Sequence, residues 1–153
     1  MAEQSPSAEA GGFQNAWHLL VPGTEQSLPQ IRQMVVDAAE HCGFSQKQVG
    51  EIEMAVGEAC TNIIQHAYEP RPSRLELEIH IQEFSDRLEI TILDYSPVNF
   101  PVDKVPVVDF PTWIKDPPPR GLGLPIIRNF VDRLEHRFIY GQGNELRMVK
   151  YFA

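Results

Sequence analysis

Three groups of residues in this chain have types and spacings that could do chemistry. Glu58, Asn62 and His66 follow one another at steps of four, so on a helix they line one polar stripe. A carboxylate and a carboxamide one turn apart suit two tasks. The amide oxygen can ligate Mg²⁺, a hard ion that prefers oxygen and phosphate, and the carboxylate can accept a proton from an attacking hydroxyl. The same spacing also describes an ordinary solvated helix face, but the neighbouring Ala59 and Thr61 are small and the stripe need not face solvent. Asp94 ends an apolar, strand-like run. A carboxylate there, facing a pocket, can accept a hydrogen bond from an exocyclic amine such as adenine N6, although Asp also commonly starts turns. Finally, Arg120-Gly121-Leu122-Gly123-Leu124 runs into a helical pattern. Glycines let backbone N–H groups approach phosphate oxygens, and a helix N-terminus adds a positive dipole. Arg120 could add a charge-assisted contact; a plain tight turn would read the same way.

The elements that must position these residues are legible from periodicity. Ala16 to Val21 reads as a short strand ending at Pro22-Gly23. Ser27 as N-cap and Pro29 in the first turn open a helix with Ile31, Met34, Val35, Ala38, Ala39 and Cys42 on one face, stopped by Gly43. Ser45 and Gln48 form a capping box for a second helix, which carries Val49, Ile52, Val56, Ala59, Ile63 and Ala67 at helical period. Leu75 to Phe84 and Arg87 to Asp94 alternate as strands around the turn Ser85-Asp86, an antiparallel hairpin. Residues 95–120 are rich in proline and lack periodicity, as a functional lid would be. Gly121 to Leu124 opens a third helix with Ile126, Ile127, Phe130, Val131 and Leu134 as its apolar face. Arg137 to Tyr140 and Glu145 to Phe152 read as a last hairpin, with Gly141 and Gly143 as turn residues. This order is not βαβ alternation. It predicts an α+β fold: a two-layer sandwich of a mixed, mainly antiparallel sheet with helices on one face.

With 153 residues, 42% hydrophobic and 22% charged, the chain suits one compact domain, residues 13–153, behind a polar tail over residues 1–12 expected to be disordered. The net charge of −8 argues against direct nucleic-acid binding and against binding to an anionic membrane. No apolar run is long enough to span a bilayer, and the first residues do not read as a secretion signal. Cys42 and Cys60 read as reduced thiols, which points to the cytoplasm, and no Cys/His spacing suggests zinc.

Taken together and in this order, the three groups resemble the ATP-binding fold shared by DNA gyrase, MutL repair proteins, heat-shock chaperones and sensor histidine kinases. EIEMAVGEACTNIIQHAY (Glu51 to Tyr68) resembles the N-box of the anti-sigma factor serine/threonine kinases. ILDYSPVNF (Ile92 to Phe100) stands where their Asp-box belongs, RGLGLPIIRNFVDRLEH (Arg120 to His136) resembles their lid-exit box, and NELRMVKYF (Asn144 to Phe152) their last strand. The resemblance runs from about Trp17 to the C-terminus. It implies ATP and Mg²⁺ as cofactors, with Glu58 as general base toward a substrate serine and Asn62 as the Mg²⁺ ligand. His66 would line the phosphate or ribose side, Asp94 would read the adenine amine, and Gly121, Leu122, Gly123 and Leu124 would cradle phosphate. Asn144 or Glu145 would border the adenine pocket. The implied partners are a small antagonist protein with a phosphorylatable serine or threonine, a sigma factor, and a second copy of the chain through the first strand and first helix.

One departure bears on activity. The family's Asp-box reads Asp-x-Gly, whereas this chain has Asp94-Tyr95-Ser96-Pro97. Ser96 replaces the glycine that lets the backbone approach adenine, and Pro97 removes an N–H donor. Two readings follow: an active kinase in a partner-switching pathway, or a partner-binding module of the same fold with weak or no phosphoryl transfer. The ATPase lobe of a histidine kinase is disfavoured, because neither His18 nor His41 has the setting of a phospho-acceptor on a dimerisation helix.

Overall fold

The computed structural model describes residues 14–67, 76–95 and 123–153. Five strands form one sheet: β1 (Asn15–Pro22), β2 (Glu76–Glu83), β3 (Arg87–Asp94), β4 (Arg133–Ile139) and β5 (Gly143–Tyr151). Their spatial order is β1-β2-β3-β5-β4. Among the described residues every neighbouring pair is antiparallel, so no parallel pairing makes the sheet mixed there. Among the described residues, three α-helices, α1 (Leu28–His41), α2 (Gln46–Asn62) and α3 (Gly123–Phe130), accompany the sheet in an α+β fold. Residues 1–13, and with them the expected tail, lie outside the described residues, as does the expected lid apart from Tyr95.

The alternation in β2 and β3 sets which face is buried. Leu77, Ile79 and Ile81 lie opposite Asp94, Ile92 and Ile90, and the two last lie in turn opposite Leu146 and Met148 of β5. These side chains share one core with Ile31, Val35, Ile52, Val56 and Ile127 of the helices. Each fully buried aliphatic side chain stabilises the fold by about 1.5–3 kcal/mol relative to exposure. The opposite face is charged. Arg87 bonds Glu89, and Arg147 bonds both Glu89 and Glu135. The Arg147 guanidinium holds the Glu135 carboxyl below its usual range.

The helix ends show where local signals hold. Ser45 Oγ accepts from the Gln48 N–H at 3.2 Å, and Gln48 Oε1 accepts from the Ser45 N–H at 3.0 Å, the expected capping box. Gly43 takes φ +85 after α1, a conformation that its missing Cβ permits. Ser27 does not cap α1. A 3₁₀ turn, Glu25–Ser27, runs straight into the helix, so Ser27 has helical dihedrals (φ −83, ψ −16) instead of the extended backbone that a side-chain cap needs. Two further expectations are corrected. The second helix does not stay α-helical to Ala67, because Ile63–Ala67 widens into a π turn. Leu134 is not on the third helix, which ends at Phe130; it lies on β4, opposite Met148. The Asp132 N–H donates to the Val149 carbonyl and its Oδ2 accepts from the Tyr151 N–H, so sheet pairing captures the chain there.

Candidate functional site

The row that buries Leu88, Ile90 and Ile92 continues to Asp94, so strand periodicity carries a carboxylate into the core, where it is 2% exposed. A buried carboxylate is costly unless it is hydrogen-bonded. Asn144 of β5 stands directly across the ladder, and its Nδ2 donates to Asp94 Oδ1 at 3.1 Å. That bond orients the amide, because a carboxylate oxygen only accepts. Asn144 Oδ1 therefore faces His136, and at 2.7 Å the imidazole Nε2 is the donor. The result is a relay from His136 through Asn144 to Asp94. Gly143 closes the approach from the other side. It has φ +120, and a Cβ there would lie 2.0 Å from the Asp94 carbonyl oxygen and 2.8 Å from Tyr95 Cα. Asp94, Tyr95, Ile139, Gly143 and Asn144 line a pocket of about 240 Å³.

Asn62 is the last residue of α2 and is 9% exposed, yet its Nδ2 has no hydrogen-bond partner among the described residues. On α3, Arg128 and Asn129 are half-buried, but Arg128 Nε and Asn129 Nδ2 are themselves buried and likewise have no hydrogen-bond partner among the described residues. The two helices pack against each other. An unsatisfied buried donor costs about 1–3 kcal/mol. Three of them on one pair of packed helices, all donors, suit an anion rich in acceptor oxygens.

Glu58 lies one turn before Asn62 and is half-buried. It lines a separate depression with Arg32, Lys47, Gly50 and Met54, and not the pocket beside Asp94. Arg32 lies across Gly57, where a Cβ would be 2.8 Å from its Nε. His66 falls in the π turn, beyond the stretch where four residues make one turn, and its side chain lies outside the described residues. Ser96, Arg120, Gly121 and Leu122 lie outside them as well, while Gly123 and Leu124 begin α3. The sequence reading missed His136, Arg128 and Asn129, and it read Gly143 as turn chemistry. A polar Arg-Asn pair inside an apolar helical pattern was the available signal for the second and third of these.

The model of the histidine kinase-like ATPase domain matches residues 21–150. The chain belongs to that family. Within this ATPase family its kinship is with the RsbW-like anti-sigma factor kinases. The serine-protein kinase RsbW of Bacillus cereus (strain AH187) is 30% identical over 135 residues, covering 86% of this chain and 81% of that protein. RsbW of Bacillus mycoides (strain KBAB4) is likewise 30% identical, over 134 residues. The crystal structure of RsbU and RsbW domains from Mycobacterium tuberculosis shares the fold, with a TM-score of 0.59 at 11% identity over 90% of this chain. This ATPase domain spans 32% of that longer chain.

Proposed function

We propose that the protein is an ATP- and Mg²⁺-dependent serine/threonine protein kinase that acts as an anti-sigma factor, phosphorylating a small antagonist protein in a partner-switching pathway. The observation that carries this reading is the set of buried donor atoms on α2 and α3 that have no partner among the described residues: Asn62 Nδ2, Arg128 Nε and Asn129 Nδ2. They fit the oxygens of a nucleotide's phosphates. Asn62 would offer its amide oxygen to Mg²⁺ and its Nδ2 to phosphate. Gly121, Leu122, Gly123 and Leu124 would add backbone N–H groups, with Arg120 and His66 beside them. Asp94 would accept from the adenine amine, held in place by Asn144, with Ser96 at the edge of that site. Glu58 would accept the proton of the antagonist's serine or threonine hydroxyl. Bound ATP supplies the transferred phosphoryl group, and the protein's part is positioning and neutralising charge.

Sequestration of the sigma factor and pairing of two chains through β1 and α1 belong to the same proposal; β1 is an edge strand of the sheet and carries Leu20, 52% exposed. A partner-binding module with little transfer is the second reading, favoured by Ser96 in place of glycine. The test is calorimetric titration with ATP and Mg²⁺ beside Asn62→Ala and Asp94→Asn, followed by transfer of labelled phosphate to a serine-bearing antagonist. Binding that needs Mg²⁺ and weakens in both variants supports the nucleotide site. Binding without transfer supports the second reading, and no binding at all refutes the kinase.

A further inference from the structure

On the charged outer face of the sheet, two imidazoles converge on one carboxylate oxygen. His18 Nε2 lies 2.7 Å and His80 Nε2 3.1 Å from Glu78 Oε2. His18 and His80 are directly opposed across the β1–β2 ladder, and Glu78 is two residues before His80, on the same face. Their imidazole rings stand 4.5 Å apart. Among the described residues, this is the one group of three such side chains whose ligand atoms all lie within 4.8 Å of one another.

We propose that His18, Glu78 and His80 bind a divalent transition-metal ion of the zinc class. Two imidazoles and a carboxylate are a ligand set for Zn²⁺, with a fourth position left for water or a partner's side chain. Mg²⁺ prefers oxygen ligands, so this site is chemically distinct from a nucleotide-bound Mg²⁺. Tetrahedral bonds of about 2.1 Å place donor atoms about 3.4 Å apart. Reaching that geometry moves His18 Nε2 about 0.7 Å and His80 Nε2 about 0.3 Å back from Glu78 Oε2, and side-chain exposures of 51% for His18 and 42% for His80 leave room to do so. The β1–β2 register holds the three backbones in place. The other carboxylate oxygen, Glu78 Oε1, accepts from the Tyr95 hydroxyl at 2.8 Å. A donor behind a ligating carboxylate fixes its orientation, as outer-shell partners of metal ligands do. Tyr95 is also the residue after Asp94 and lines its pocket, so the metal site and the pocket share a residue.

The test is to strip the full chain with a chelator and titrate it with Zn²⁺ alone by calorimetry. One Zn²⁺ per chain is expected, without competition from Mg²⁺. His18→Ala and His80→Ala should each weaken binding by about tenfold or more, while His41→Ala should leave it unchanged. The substituted residues lie on a solvated face, and circular dichroism will verify that the variants fold. The absence of Zn²⁺ binding by the wild type would overturn the assignment. So would unchanged affinity in the double variant His18→Ala/His80→Ala, which would place the ion elsewhere.

Discussion

Replacing Gly143 by alanine tests how the pocket beside Asp94 is built. The new Cβ would sit 2.0 Å from the Asp94 carbonyl oxygen, so reaching even a tight 3.0 Å contact requires a shift of about 1 Å in a paired strand. The φ of +120 adds a backbone penalty of about 1–3 kcal/mol for any residue other than glycine. Displacing Asp94 also strains its bond to Asn144, worth about 1.5–3 kcal/mol because the acceptor is charged. The total loss should be about 3–5 kcal/mol, or a fall in Tm of roughly 6–20 °C for a chain of this size. Gly141→Ala is the control. Its φ is +83, but a Cβ there meets nothing within 4 Å, so it should lose only the backbone part, about 1–2 kcal/mol. Urea unfolding of both variants, read by circular dichroism, measures the difference. Equal losses at the two glycines would refute the collision with Asp94 and the tight β3–β5 approach inferred from it.

Other outcomes follow from burial and from unpaired groups. Asn62→Ala should change the stability of the nucleotide-free protein by less than about 1 kcal/mol, because the loss of packing is offset by removal of an unsatisfied donor; it should weaken Mg²⁺-dependent ATP binding in the calorimeter. Ile52→Ala removes a fully buried side chain and should cost about 2–5 kcal/mol in urea unfolding. Ser45→Ala should cost about 1 kcal/mol by removing the observed cap. Burial pushes the Cys60 thiol up from 9.0 to about 12. Folding thus favours the protonated thiol, so this contribution is intact below pH 9 and is lost as pH rises toward 12. Cys60 should accordingly resist a thiol reagent at pH 8 until the protein is unfolded, and rapid labelling of the native protein would contradict its burial.

The parts of the fold that could be read from sequence are those set by near neighbours. The capping box at Ser45 and Gln48 spans three residues, and the β2–β3 hairpin joins two alternating runs across a short turn. The apolar stripes of α1 and α2 follow directly from a period of 3.6. Where local signals competed with tertiary pairing, the pairing decided. Leu134 suits a helix face as well as a strand, and its place was settled by the ladder with β5. Ser27 is a good cap by type, but the preceding 3₁₀ turn had already given it a helical backbone.

Sequence by itself therefore determined the fold class, the bodies of α1, α2, β2 and β3, and the helical spacing of Glu58 and Asn62, because periodicity and capping act within a few residues. Tertiary structure alone decided what meets across the sheet. Asp94 and Asn144 are 50 residues apart, yet strand register makes them a hydrogen-bonded pair. His18 and Glu78 are 60 apart and meet in the same way. Gly143 is a turn glycine by spacing and a close-contact glycine only once β3 lies beside it. Such meetings depend on which strands pair and in what register, and that is settled by the collective burial of both sheet and helix faces.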